Sequence, residues 1–187
     1  MKIYPITQSE FNQIPTIRQI IIHEYARKFA CLDLGETLEC YGLSWCSESV
    51  DLSIEYSNNQ KLLWIGIDRQ LAAICLESGR ICVAMPLTTN LIEIKIIQEV
   101  TAVLTEQEIF LFNSNGSLRF NHGFPDLPSE IIITEDGLII PLMDGDRFKL
   151  NPQTGEFQQL QDLLNYPGNR GDRGEIAHPK VNHPVSF

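Results

Sequence analysis

Three segments of this chain superpose on one another when the sequence is shifted by 38 residues. Residues 62–74 read LLWIGIDRQLAAI, residues 100–112 read VTAVLTEQEIFLF and residues 138–150 read LIIPLMDGDRFKL, aligned without a gap. Each opens on an apolar stretch, breaks at a short polar pair and resumes with a second, mostly apolar stretch. The breaks fall in register at Asp68-Arg69, Glu106-Gln107 and Asp144-Gly145. Asp-Gly is the strongest of these as a turn, because both residues tolerate positive φ. A glycine turn follows each second stretch, at Gly79, Gly116 and Gly155, and an apolar residue lies two positions beyond each (Ile81, Leu118, Phe157). Glycine suits a turn that puts one residue in a left-handed conformation.

A strand precedes each of these segments. VDLSIEY alternates strictly, with Val50, Leu52, Ile54 and Tyr56 on one side, as a half-buried strand does. LIEIKI alternates similarly, and EIIIT is apolar and strand-like. Each unit therefore reads as four strands. They are predicted near 50–56, 61–67, 70–76 and 80–85, then 91–97, 99–104, 107–112 and 117–121, then 130–134, 137–142, 146–150 and 156–160. Four antiparallel strands at a period near 40 residues is the sequence signature of propeller blades.

The run EDGLIIPLMDGDRFKLNPQTGEF resembles a quinoprotein-type β-propeller repeat, whose second hairpin is an Asx-x-x-Thr-Gly turn, here Asn151 to Gly155. LLWIGIDRQLAAICLESGRI is similar, with Ser78-Gly79 in place of Thr-Gly; the middle unit departs most, with NSNG. The resemblance covers residues 50–160. It implies a mainly β fold with three four-stranded antiparallel propeller-like units, a partial propeller or fan. A closed propeller typically has about four to eight blades. Three leave several arrangements open: a fan, a six-bladed ring closed by a homodimer, a solenoid, or one irregular sandwich.

The chain is expected to be a single domain over 1–187, with a helical N-terminal segment at 1–35, the three units at 50–160 and an extended tail at 161–187. Thr7-Gln-Ser-Glu10 matches a capping box. Pro15 suits the first turn of a second helix over PTIRQIIIHEYARKFACL, in which Ile17, Ile20, Ile21, Tyr25, Phe29 and Leu32 form a stripe that would dock on the sheets. The tail contains Arg170-Gly171-Asp172, the basic pair Arg170 and Arg173, and His178 and His183, each before a proline. None of these makes a site by itself.

The composition is 43% hydrophobic, enough to bury a core. The net charge of −10 argues against a nucleic-acid backbone or an anionic membrane as ligand, and permits a protein partner with a basic surface. No apolar run approaches the roughly 18 residues of a membrane span, and MKIYPITQSE has no secretory h-region. A cytoplasmic location is therefore expected. The five cysteines form no CxxC and have no zinc-like histidine spacing, which fits reduced thiols. A two-residue turn at Ser78-Gly79 would bring Cys75 opposite Cys82.

There is no G-x-S-x-G, H-E-x-x-H, Walker or dinucleotide fingerprint. The sequence points to no catalytic residue, metal ligand or cofactor. Carboxylates at 135–136 and 144–146 fall on predicted turns, where acids serve turn chemistry. Asp68, Glu106 and Asp144 are different, because they share one position in all three units. In blades they would lie on one face, and turn preference explains Glu106 poorly. They are the candidate binding residues. The resulting reading is a non-catalytic interaction or scaffold protein. Its alternatives are an acidic inhibitor or immunity-like protein holding a basic partner, and a small-molecule binder or enzyme with a pocket between the blades.

Overall fold

The computed structural model describes residues 1–36 and 38–160. Four sheets of four strands each follow one another along the chain. The first sheet holds β1 (Lys2–Pro5), β2 (Gln19–Ile21), β3 (Lys28–Asp33) and β4 (Cys40–Trp45). The second holds β5 (Ser53–Tyr56), β6 (Leu62–Ile67), β7 (Gln70–Cys75) and β8 (Ile81–Pro86). The third holds β9 (Leu91–Ile97), β10 (Val100–Thr105), β11 (Glu108–Asn113) and β12 (Leu118–Gly123). The fourth holds β13 (Ile132–Thr134), β14 (Gly137–Pro141), β15 (Arg147–Leu150) and β16 (Phe157–Leu160). The last three are simple antiparallel meanders and correspond strand for strand to the three units read from the sequence. Their hairpin glycines, Gly79, Gly116 and Gly155, all have positive φ.

The blades stack face to face. One apolar cluster joins blades 1 and 2 through Leu32, Leu43, Leu63 and Ile65. A second joins blades 2 and 3 through Trp64, Val103 and Phe112, with the Trp64 and Phe112 rings 4.9 Å apart. A third joins blades 3 and 4 through Leu104, Leu111, Ile140 and Leu150. Among the described residues no such cluster joins blade 1 to blade 4, so the array is an open, propeller-like fan. The arrangement explains the sequence pattern. Strands β6 (LLWIGI) and β10 (VTAVLT) are buried at every position, because their blades are covered on both faces. In β15 (RFKL) only Phe148 and Leu150 are buried, because its blade has a neighbour on one side.

The N-terminal segment departs from expectation. Helix α1 (Gln8–Gln13) is present, with its capping box complete: the Thr7 hydroxyl accepts the Glu10 N–H, and the Glu10 carboxylate accepts the Thr7 N–H at 2.7 Å. The second helix is replaced by a 3-10 turn at Thr16–Arg18 followed by β2 and β3. The expected stripe is split: Ile20, Ile21 and Leu32 enter the core, while Ile17 is 80% and Tyr25 72% exposed. The segment is rich in β-branched and aromatic residues, and the strand Cys40–Trp45 offers a pairing edge on both sides; β2 runs parallel to one edge and β3 antiparallel to the other. Tertiary pairing overrides a helical period that was only a coincidence of spacing. The outcome is a fourth blade, in strand order β1-β3-β4-β2.

This blade has a lid. Phe11 of α1 is 5% exposed and packs on Phe29, with ring centroids 5.5 Å apart, on the face of blade 1 turned away from blade 2. Gly42 makes room for it: a Cβ there would stand 2.9 Å from the Phe11 ring. The outward face of blade 4 is mixed: Ile132, Ile139 and Leu160 share it with Arg147, Lys149 and Gln158.

Cysteine chemistry also differs from expectation. Cys31 and Cys40, on neighbouring strands β3 and β4, form a disulfide with Cα atoms 6.0 Å apart. Reading residues 15–32 as a helix removed the hairpin that brings them together. Cys75 and Cys82 do not face each other. The Gly79 N–H bonds Cys75 O and the Cys75 N–H bonds Arg80 O, so the loop is wider than two residues; the register then slips between Ala73 and Ile74. The tail features at residues 170–183 lie outside the described residues.

Replacing Phe11 with Ala is expected to cost about 3–5 kcal/mol in urea denaturation. It should also give concentration-dependent association in light scattering, because it bares the apolar outer face of blade 1. A change under about 1 kcal/mol, with the chain unassociated, would show that α1 is not the lid.

Candidate functional site

The connections between blades and the turns between the second and third strands of blades 2, 3 and 4 converge at one end of the fan. Backbone hydrogen bonds tie these connections to the turns. The Leu91 N–H donates to Asp68 O at 2.7 Å, the Phe124 N–H to Gln107 O at 2.7 Å and the Met143 N–H to Leu127 O at 2.9 Å.

Asp68 and Glu106 reinforce these ties with their side chains. Asp68 Oδ2 accepts the N–H groups of Cys46 and Ser47, at 2.9 and 3.1 Å, where the chain leaves blade 1. Glu106 accepts the Asn90 side-chain amide at 3.1 Å and the Asn90 N–H at 3.3 Å, where the chain leaves blade 2. Asp144 does not follow them. It accepts the N–H of Asp146 within its own turn, at 3.0 Å. The recurrence of acid at this position thus has a physical cause, in that a carboxylate meets backbone donors of the preceding connection. A glutamate serves at 106 because its longer side chain reaches Asn90.

Asp68 and Glu106 line one cleft of about 470 Å³, together with His23, Cys46, Arg69 and Asn90. Asp144 lies outside it. His23, Cys46 and Asn90 come from three separate connections, and nothing in the repeat marks them. His23 Nδ1 accepts the Tyr25 N–H at 3.1 Å, and both N–H groups that Asp68 accepts are main-chain ones. No nucleophile, base and orienting acid are hydrogen-bonded in sequence among the described residues. Nor do the described residues include a group of three or more His, Cys, Asp or Glu able to hold a metal ion.

The same end carries charge and apolar surface. Its connections and turns (22–27, 46–52, 68–69, 87–90, 106–107, 124–131 and 142–146) hold nine carboxylates against Arg27 and Arg69. Ile22, Tyr25, Val50, Leu127 and Met143 stand exposed among them. The other end is acidic too, but there Glu39 pairs with Arg18, Glu77 with Lys61 and Asp136 with Lys149. Of the acids at the cleft end, one, Glu48, forms an ion pair among the described residues, with Arg27.

The hairpin tip of blade 2 holds a distinct thiol. Cys75 accepts hydrogen bonds from the Ser78 hydroxyl and from the Ser78 and Glu77 N–H groups, which hold its pKa below the ordinary thiol value.

No protein-family model matches the chain, and no curated protein matches it. Solved propeller structures are similar at the level of fold. The chain is 15% identical to BamB from Moraxella catarrhalis, with 86% of this chain and 50% of that one aligned and a TM-score of 0.49. It is 13% identical to the Pan2 WD40 domain of Neurospora crassa (58% and 37% aligned, TM-score 0.48) and 18% identical to Saccharomyces cerevisiae Sqt1 (58% and 33%, TM-score 0.47). The aligned part spans about a third to a half of those chains.

Asp68→Ala is expected to cost about 1–3 kcal/mol, since it strands two backbone donors, whereas Asp144→Ala should cost under about 1 kcal/mol. Equal losses in urea melts would refute the inter-blade role of Asp68. Cys75 should be alkylated at lower pH than the thiol of an unstructured cysteine peptide, and Ser78→Ala should move its rate–pH profile upward. An unchanged profile would remove Ser78 as the cause.

Proposed function

We propose that this chain is a non-catalytic interaction module whose binding surface is the cleft end of the fan, and that its partner is a protein with a basic, partly apolar surface. The observation that carries this reading is the coincidence, at one end, of carboxylates that, Glu48 apart, form no ion pair among the described residues with exposed Ile22, Tyr25, Val50, Leu127 and Met143. Exposed apolar groups rimmed by like charge suit a partner that brings the opposite charge and its own apolar anchors. Asp68 and Glu106 shape this surface and add to its field, and Asp144 contributes as an exposed acid on the same end. Among the described residues no helix is long and apolar enough to cross a membrane. The homodimer weighed from the sequence draws no support from the blade faces. A six-bladed ring needs three blades per chain and a bare face on blade 1, and here there are four blades with α1 on that face.

The test uses a short synthetic peptide alternating Lys and Leu as probe, with binding followed by calorimetry across a salt series. Affinity should fall as ionic strength rises. Charge reversal at Asp126, Asp144 and Asp146 together should weaken it roughly tenfold or more, while reversal at Glu99, Glu135 and Glu156 at the opposite end leaves it near the starting value. Salt-independent binding, or equal losses at the two ends, would overturn the reading.

A further inference from the structure

The first strand of blade 1 borders a second cleft, which shares Arg27 with the interaction surface. It measures about 460 Å³, within the usual range for small-ligand sites, and its walls include Ile3, Tyr4, Ile6, Phe29 and Trp45. Strand β1 is exposed at all four positions, which would invite a partner strand. Its free edge is poorly suited to one. The Ile6 N–H bonds Phe29 O, so the amides of Lys2 and Tyr4 also face β3, while positions 3 and 5 face outward. Position 5 is proline and has no N–H to give. The cleft therefore favours a compact ligand over an added strand.

Its charged groups are both cations, Arg27 and Lys28, in a chain of net charge −10. One acidic residue serves the two. Glu48 Oε1 lies 3.2 Å from Arg27 Nη1, and its backbone oxygen accepts from Lys28 Nζ at 2.7 Å. Lys28 thus has no carboxylate partner among the described residues, and the Arg27–Glu48 pair is two-thirds exposed and weakly held. Trp45, 9% exposed and opposite Lys28 in the β3–β4 register, also lines the cleft. We propose that this cleft binds a small apolar carboxylate, its hydrocarbon body against Ile3, Pro5, Ala30 and Trp45, which share the sheet face of Lys28, and its anionic end at Lys28 with Arg27 beside it. A basic peptide of the kind proposed for the acidic end would be repelled here, so the two sites recognise opposite chemistry.

Decanoate, below its micelle concentration, is the probe, with decanol and decylamine as uncharged and cationic matches. Calorimetry on the full chain should give saturable one-to-one binding of decanoate, with decanol weaker by roughly tenfold or more and decylamine weaker still. Lys28→Gln should weaken decanoate by a similar factor and leave decanol unchanged. Arg27→Gln, at a position two-thirds exposed, gives a second test that does not touch the core. The indole N–H resonance lost in Trp45→Phe should move on decanoate addition. Equal affinity for decanoate and decanol, no effect of either cation substitution, a stationary Trp45 resonance or absence of saturation would each overturn the proposal.

Discussion

Face-to-face packing of the sheets is the constraint on which the rest of this molecule depends. A four-stranded antiparallel sheet with two apolar faces is stable only when both are covered, so blades 2 and 3 require neighbours on either side. Leu63 and Ile65 serve the interface with blade 1, and Trp64, between them in sequence, serves the interface with blade 3. A single strand thus supplies two cores, each fully buried apolar side chain contributing about 2 kcal/mol. The outer blades differ: a short helix covers blade 1 over Phe29 and Gly42, and the outer side of blade 4 mixes Arg147, Lys149 and Gln158 with Ile132 and Ile139.

The interiors of the three later blades were legible because their signals are local. Period-two alternation, an in-register polar break and a positive-φ glycine are each decided within a few residues, and all twelve strands of residues 50–160 lie near their predicted places. The first blade was hidden for the opposite reason. Ile20, Ile21 and Leu32 are spaced as a helix would space them, and what makes them strands is Cys40–Trp45, a segment whose pairing with β2 and β3 is long-range. Only the capping box at Thr7 and Glu10, again a local device, marked α1. The same division explains the cysteines: the Cys31–Cys40 pair depends on the β3–β4 hairpin, and the position of Cys82 depends on a register slip that the sequence of the turn does not encode.

The candidate site shows how a periodic residue can be structural and still shape a surface. Asp68 and Glu106 recur because each blade's central turn must hold the connection arriving beside it, and a carboxylate is a strong acceptor for the N–H groups presented there. Asp144 keeps the position but bonds its own loop while staying exposed, since the last connection is held by the main-chain bond from Met143 to Leu127. Fixing acids at this end for architectural reasons gives it a negative field without further design. His23, Cys46 and Asn90, which complete the cleft, follow no period because they sit on connections of unequal length.

The charge distribution then gives one small scaffold two regions of opposite local charge. At the end opposite the cleft, Arg18, Lys61 and Lys149 pair with Glu39, Glu77 and Asp136, so the acidic field there is partly offset. At the cleft end two arginines face nine carboxylates, and Arg27 is drawn toward Glu48 beside β1. That leaves Lys28, beside Trp45, without a carboxylate partner among the described residues, bordering an apolar space in a molecule of net negative charge. A ligand entering this space as a carboxylate must cross a negative field, which slows association, but once seated it meets the local positive charge in partly desolvated surroundings, where Coulomb attraction is less screened than in water. A basic protein surface experiences the reverse: it is drawn to the acidic end from a distance and repelled only at short range near Lys28. Because Arg27 and Glu48 belong to both regions, a cationic partner that engages Glu48 would release Arg27 toward the cleft, and occupation of the two sites would be coupled through that single ion pair.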